Sequence, residues 1–366
     1  MKKPLLAVVA AVSCLFGMTA CGSTSSTSQT NPGTSSTSKE EEDVTLTLYS
    51  STSEANLKIM ISKFEAATGI KIEYVYGSTS TIVKRVTAEK NSPQGDIVWL
   101  PSQYIESNSD CYTSYKAANE ADKPAAYQSA DGFCSVTNYS IPVLIWNSTL
   151  VTGNITGYND LTGTGLTGKM AFGDATTSSS AYNHLENMLL DFGTGTTVAE
   201  KLLSDSAWTY VDSFYKNLSN KIVSSSATTL TGVVSGEYAC GLSWDTKGYE
   251  ALADKVANPT GTYKDVNVTF MSEGVVPKTS GVGIIKGTKH EAAAKKFIDY
   301  MSSVAGQNVL GKDIAGTNPI LGTAEVSSYK KSIKDLKTIA ITSDESTNNK
   351  AAVLAKYKDI VQKYSA

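Results

Sequence analysis

The stretch Lys169–Leu190, KMAFGDATTSSSAYNHLENMLL, decides how the chain is read. Lys169–Phe172 is short and apolar, as a buried strand is. Gly173–Ser180 is a turn of small hydroxyl residues. From Ala181 onward the apolar residues Leu185, Met188, Leu189 and Phe192 fall at helical spacing. A hydroxyl run therefore sits where a strand ends and a helix begins. The start of a helix carries unpaired backbone N–H groups and a partial positive charge. Ser and Thr hydroxyls beside it make a site that can hold an anion without Lys or Arg. The same residues can also serve simply as helix caps.

The grammar recurs twice. Val44–Thr68 reads as an alternating strand, VTLTLY, then Ser50-Ser51-Thr52-Ser53-Glu54, then an amphipathic helix with Leu57, Met60, Ile61 and Phe64. A third copy runs IEYVYG, then Ser78-Thr79-Ser80-Thr81, then IVKRVTAEK. In an open α/β sheet, ligands bind in the crevice outside the carboxyl ends of the strands, where such turns lie. Three of them in one chain predict a shared ligand.

With 366 residues the chain is too long for one ordinary core, so two lobes are expected. A hydrophobic fraction of 41% suits a folded globular chain. The net charge of −3 and the lack of any basic cluster beyond a residue pair argue against nucleic acid. Nineteen Tyr but only two His disfavour a His-based metal site, and no metal or cofactor is expected.

Residues 1–20 read as a targeting segment. Lys2 and Lys3 precede an apolar core, Leu5–Phe16, too short to span a membrane. It ends in Met18-Thr19-Ala20-Cys21, which resembles the bacterial lipobox and implies cleavage before Cys21 and acylation of its thiol. Residues 21–43, rich in Ser, Thr and Gly, cannot bury a core and read as a tether. A body held by lipid on the outer face of a cell membrane, extracellular or periplasmic, is the expectation. Cys111 and Cys134 bracket a loop-rich stretch and could pair as a disulfide, while Cys240 reads as a buried thiol.

Further along, IVWL is a third buried strand followed by Pro101-Ser102, another turn at the same sheet edge. Tyr139–Asn147, YSIPVLIWN, reads as a crossing between lobes, and Met271–Pro277, carrying Glu273, as the return. Residues 163–169, GTGLTGK, look like a phosphate-binding P-loop. Met170 stands where a Ser or Thr is needed, however, and the segment precedes a strand instead of following one. Gly281 and Gly283 lack the third glycine of a dinucleotide fingerprint, because Lys286 is in its place. Val198–Leu218 reads as one helix. The strand ACGLSW ends in Trp244 and Asp245, again at a ligand-facing edge. His290–Ser303 is amphipathic, and the tail to Ala366 reads as largely helical.

In this order the residues resemble bacterial ABC-transporter solute-binding proteins, in the branch that binds iron(III), thiamine, phosphonates and sugar phosphates. The resemblance rests on YSSTSE at 49–54, FEAATGIKIE at 64–73, PQGDIVW at 93–99, LTGKMAFGDATTSSSAY at 166–182, GEYACGLSWD at 236–245 and the run from Ser280 to Gln307. It implies an α/β fold of the periplasmic-binding-protein type: two lobes, each a mostly parallel sheet flanked by helices, joined by two crossing strands. Lobe 1 would comprise 44–142 and 279–366, and lobe 2 143–278. It implies a solute-binding role with no enzymatic turnover, a membrane ABC permease as partner, and a monomer.

Iron binders of that branch carry adjacent tyrosines after the strand matching ACGLSW. Here Asp245-Thr246-Lys247 stands in that place. The run DATTSSSAY looks more like the phosphonate and sugar-phosphate members. The resemblance thus puts Ser178 and Ser180, with Ser179 between them, on a phosphorus oxyanion, supported by Ser51, Thr52, Ser78, Thr79 and Ser102. Trp244 would lie beside them. Asp245 and Glu273 would meet an ammonium or sugar hydroxyls at the ligand's other end. A 2-aminoethylphosphonate or a sugar phosphate fits both ends; iron, thiamine or another small solute is the alternative. A secreted phosphoester hydrolase would need a nucleophile–base pair that His184 and His290 do not obviously supply. A surface sensor would use the same lobes without a transporter.

Overall fold

The computed structural model describes residues 44–223 and 226–364. The targeting segment, the tether and Cys21 lie outside them. In chain order the first elements are β1 (Thr45–Ser50), α1 (Glu54–Thr68), β2 (Lys71–Tyr76), α2 (Thr79–Ala88), β3 (Ile97–Pro101) and α3 (Ser102–Glu106). Next come β4 (Tyr112–Thr113), β5 (Ser135–Ser140), β6 (Pro142–Asn147), β7 (Met170–Gly173), α4 (Ser179–Phe192), α5 (Val198–Leu203) and α6 (Asp205–Leu218). There follow β8 (Ile222–Val223), α7 (Ser226–Ser235), β9 (Cys240–Trp244), α8 (Asp245–Ala257), β10 (Val266–Phe270) and β11 (Lys278–Ile285). The last are α9 (Glu291–Ser302), α10 (Val304–Asn308), β12 (Asn318–Pro319) and α11 (Ser343–Tyr364).

Two sheets form. The first has the order β12-β5-β11-β3-β1-β2, with β4 paired to β11, and the second β10-β6-β9-β7-β8. Alternation explains the first: Leu46 and Leu48 of β1 bury one face beneath α1, whose Leu57, Met60, Ile61 and Phe64 are all buried. Gly69 ends α1 in the left-handed conformation at φ 76°, with its N–H on the Glu65 carbonyl, as a glycine stop does. Phe297 of α9 packs edge-to-face on Phe64, ring centroids 5.1 Å apart, closing this core.

The second sheet is buried on both faces, so β6 and β7 read as continuous apolar runs. β6 carries Val143, Leu144 and Ile145, all fully buried. The crossings fall where the sequence placed them. Ile141 alone separates β5 from β6, and 271–277 carry the chain from β10 to β11.

Three expectations are corrected. Val198–Leu218 is two helices. Ser204 is extended at ψ 147°, and its hydroxyl accepts from the Ala207 N–H, ending α5 and capping α6. The tail beyond β11 does not all return to the first sheet. α11 packs on α5 and α6, and Tyr357 inserts beside Tyr215 with ring centroids 5.6 Å apart. The burial of Val353 and Tyr357 drives this, and both lie in the second sheet's core. Between α10 and α11 the tail is mostly irregular.

Last, Cys111 and Cys134 are free thiols, as is Cys240, and all three are buried. Each of the first two has its own surroundings. Cys111 Sγ donates to Asp110 Oδ1 at 3.6 Å, while Cys134 Sγ fills the space over Gly281. Burial pushes the Cys134 thiol up to about 12.

Phe297→Ala should lower unfolding stability by about 3–5 kcal/mol, the usual cost of deleting a fully buried Phe. Urea denaturation followed by tryptophan fluorescence measures it; a loss well under 1 kcal/mol would show that this helix does not close the core.

Candidate functional site

Ladder registers fix which strand ends share an edge. β1, β2 and β3 are parallel, with Ser50 opposite both Tyr76 and Trp99, so the Ser50, Tyr76 and Pro101 ends lie side by side. β11 runs antiparallel to β3, with Ser280 opposite Pro101, and Ser140 of β5 lies opposite Lys278. The start of β11 and the end of β5 are therefore on that same edge. In the second sheet β7 and β9 are parallel. Pro142 of β6 faces Trp244 of β9, and Phe270 of β10 faces Val143. The ends of β7, β9 and β10 thus share an edge with the start of β6. Both crossings leave one of these edges and enter the other. The carboxyl ends of the strands in the two sheets are drawn together at the same gap, where a ligand of an open α/β sheet binds.

On the first edge the hydroxyl turns touch. Thr79 Oγ1 donates to Ser51 Oγ at 3.0 Å, so residues 50–53 and 78–81 form one patch. Ser50 Oγ is spent on the Trp99 carbonyl at 2.7 Å and receives the Thr52 N–H at 3.0 Å. Ser78 caps α2 by accepting from the Thr81 N–H. Ser53, at the start of α1, makes no side-chain cap, which leaves that helix end open. Ser102 is buried at the start of α3, and its hydroxyl has no partner.

On the opposite edge Ser178 caps α4, taking the Ala181 N–H at 3.3 Å. Here the capping reading is correct. Ser179 is exposed. Ser180 is 4% exposed, yet its hydroxyl has no hydrogen-bond partner. One turn on, Asn183 is 1% exposed with both amide atoms unpaired. Leaving such a group buried and unpaired costs about 1–3 kcal/mol. Sequence reasoning missed Asn183. Its only signal was a position one helical turn after the hydroxyl run.

Trp244 is half-buried at the end of β9. Asp245 and Glu273 both have protein partners. Asp245 is fully buried; its carboxylate takes the Thr246 N–H at 2.8 Å and the Asn318 side-chain N–H, and burial pushes it up to about 7. Glu273 Oε1 accepts from the Asn159 N–H at 2.8 Å and the Asn159 side chain at 2.7 Å. It lines a cavity of about 360 Å³ with Asp191, Lys201, Lys337 and apolar Leu190, Phe192 and Ile339. Burial, with Glu273 adding repulsion, pushes Asp191 up to about 7.

His184 is fully buried, clamped between Tyr158 Oη at 2.8 Å and the Ser243 carbonyl at 2.9 Å, and burial holds it down at about 4. His290 pairs with Asp96 near the start of β3. Both ring nitrogens of His184 are engaged, and His290 is turned to Asp96, so neither is placed as a free hydrolytic base. Lys278 of β11 reaches Glu186 of α4 at 2.6 Å, tying the sheets. Among the described residues no group of three or more His, Cys, Asp or Glu could hold a metal ion.

Two α/β sheets that turn their carboxyl edges on one gap, joined by two crossings, define the two-lobed solute-binding class. The chain belongs to the bacterial extracellular solute-binding proteins, whose family model matches residues 60–340. It is a binding protein of transport, not an enzyme. It is 24% identical over 265 residues to a probable ABC transporter periplasmic-binding protein, y4fP, of Sinorhizobium fredii, covering 71% of this chain and 70% of that one.

Its fold matches the periplasmic binding protein AfuA of Actinobacillus pleuropneumoniae with fructose-6-phosphate bound. The TM-score is 0.63 at 20% identity, over 87% of this chain and 98% of that one. It also matches iron-bound HitA of Pseudomonas aeruginosa, with a TM-score of 0.66 at 16% identity, over 87% and 99%.

Because Asp191 titrates higher folded than its free value of about 3.9, the stability it contributes is present in acid and lost as pH rises from about 4 to 7. Asp191→Asn should therefore gain stability relative to the parent progressively across that window. Urea melts at several pH values test this; a stability difference that does not change with pH would show an ordinary carboxyl.

Proposed function

We propose that the protein captures a small organic phosphate or phosphonate between its sheets and delivers it to an ABC permease, held at the outer face of the membrane by lipid on Cys21. The observation that carries this is the start of α4. The buried Ser180 hydroxyl and Asn183 amide lack partners at a helix end that favours negative charge. Ser178 and Ser179 complete that turn. Ser51, Thr52, Ser78, Thr79 and Ser102 supply hydroxyls from the facing edge, where the open end of α1 adds backbone donors.

Trp244 flanks the gap. Asp245 and Glu273 have protein partners, so the groups left for the ligand's other end are neutral: Tyr139 and Ser243. Hydroxyls suit a sugar phosphate better than the ammonium of 2-aminoethylphosphonate. AfuA, with fructose-6-phosphate bound, supports this choice.

Hexose phosphates should raise the melting temperature more than inorganic phosphate, 2-aminoethylphosphonate, thiamine or ferric iron, because a solute bound only to the folded state stabilises it. A response to iron or thiamine alone would refute the oxyanion reading. Ser180→Ala should weaken hexose-phosphate binding, measured by calorimetry, with the melting temperature unchanged or raised. Retained affinity would remove Ser180 from the site.

A further inference from the structure

The crossing at Ile141 carries a second connection made of side chains. Asp245 is the first residue of α8, on the second sheet, and its N–H donates to the Ile141 carbonyl at 3.0 Å. Its carboxylate accepts from the Asn318 side-chain N–H. Asn318 is in β12, on the first sheet, and the same nitrogen donates to the Tyr139 carbonyl at 3.1 Å. Tyr139 O, Asn318, Asp245 and Ile141 O thus close a ring around the residues that join the sheets. Asn318 and Asp245 are both fully buried, so water does not compete for these bonds.

The neighbours hold the ring together. The Lys330 ammonium donates to the carbonyls of Leu310 at 3.2 Å, Ile314 at 2.6 Å and Thr317 at 2.8 Å, stitching the segment that presents Asn318. Its charge also lies near enough to Asp245 to favour the carboxylate. Gly316 abuts α8 so closely that a Cβ there would come 2.8 Å from Thr246 Cγ2. The loop before β12 therefore meets the start of α8 with room for the Thr246 side chain and no more.

We propose that Asp245 and Asn318 form a clasp across the β5–β6 crossing that fixes the angle between the two sheets before any solute arrives. They are positioning residues, acting on capture through the hinge without touching the solute. A protein that binds by hinge closure bends at a few such residues. A buried, charge-assisted bond across that point narrows the angles it samples. Narrowing preorganises the gap and reduces the ordering cost of capture.

The test uses solute-free protein, so it does not depend on what is bound. Spin labels at the exposed positions Lys58 on α1 and Lys216 on α6 report the distance between the sheets by pulsed electron resonance. Asp245→Asn keeps the shape but leaves one acceptor oxygen for two donors, the Thr246 N–H and the Asn318 side chain; Asn318→Ala deletes the partner. Both should broaden and shift the distance distribution, and hexose-phosphate dissociation should quicken. The reciprocal pair Asp245→Asn with Asn318→Asp restores the bond between the two side chains, though not the one to the Tyr139 carbonyl, and should narrow the distribution in part.

Glu250→Gln, on α8 but outside the ring, should leave it unchanged. If Asn318→Ala fails to fold, Asn318→Asp alone opposes two carboxylates and breaks the clasp at constant volume. Distributions like the parent's in the folded single variants would overturn the proposal, as would equal broadening by Glu250→Gln.

Discussion

A single residue, Ile141, separates the last ladder position of one sheet from the first of the other. That constraint organises the molecule. Because β5 ends and β6 begins within two peptide bonds, the edges those strands occupy cannot be far apart. Parallel pairing then brings the carboxyl ends of β1, β2 and β3 to one edge, and those of β7 and β9 to the other. The hydroxyl turns at 50–53, 78–81 and 176–180 follow β1, β2 and β7. The second crossing, at 271–277, ties the same two edges and is itself held by Asn187, which donates to Gly274 O at 2.8 Å and accepts from the Val276 N–H at 2.6 Å. Glu186 adds an ion pair to Lys278 where that crossing enters β11.

Along these edges two kinds of polar residue separate by whether they already have partners. Ser78 and Ser178 are caps, and a cap satisfies a backbone donor that the helix cannot. Ser102, Ser180 and Asn183 are buried without partners. Buried polar groups are nearly always paired, so these three stand apart from the caps. The same test separates the acids. Asp245 and Glu273 are engaged by Asn318 and Asn159, which makes them part of the frame.

The charge pattern fits that division. The hydroxyl turns at 50–53, 78–81 and 176–180 carry no basic side chain of their own. The buried cations are used elsewhere: Lys330 on three carbonyls near the hinge, and Lys123 on Glu120 and Ser135.

Much of the fold was legible because its signals are local. The alternation of VTLTLY, the helical spacing after Ala181 and the lone proline at Pro142 placed β1, α4 and the β5–β6 crossing. Ser204 was missed because a serine inside an apolar-periodic run reads as a surface residue until its backbone is seen to be extended. Cys111 and Cys134 invited a bridge by spacing, but spacing says nothing about which way two thiols face.

α11 went to the second sheet because Tyr357 and Val353 found a core there, a contact more than a hundred residues away in sequence. The sequence by itself determined the elements, the three hydroxyl turns and their position after strands, since these follow from periodicity and residue type within a dozen positions. The tertiary structure alone decided which hydroxyls were spent as caps and which were left unpaired. It also decided that Asp245 pairs with Asn318, because pairing depends on neighbours that only the fold assembles.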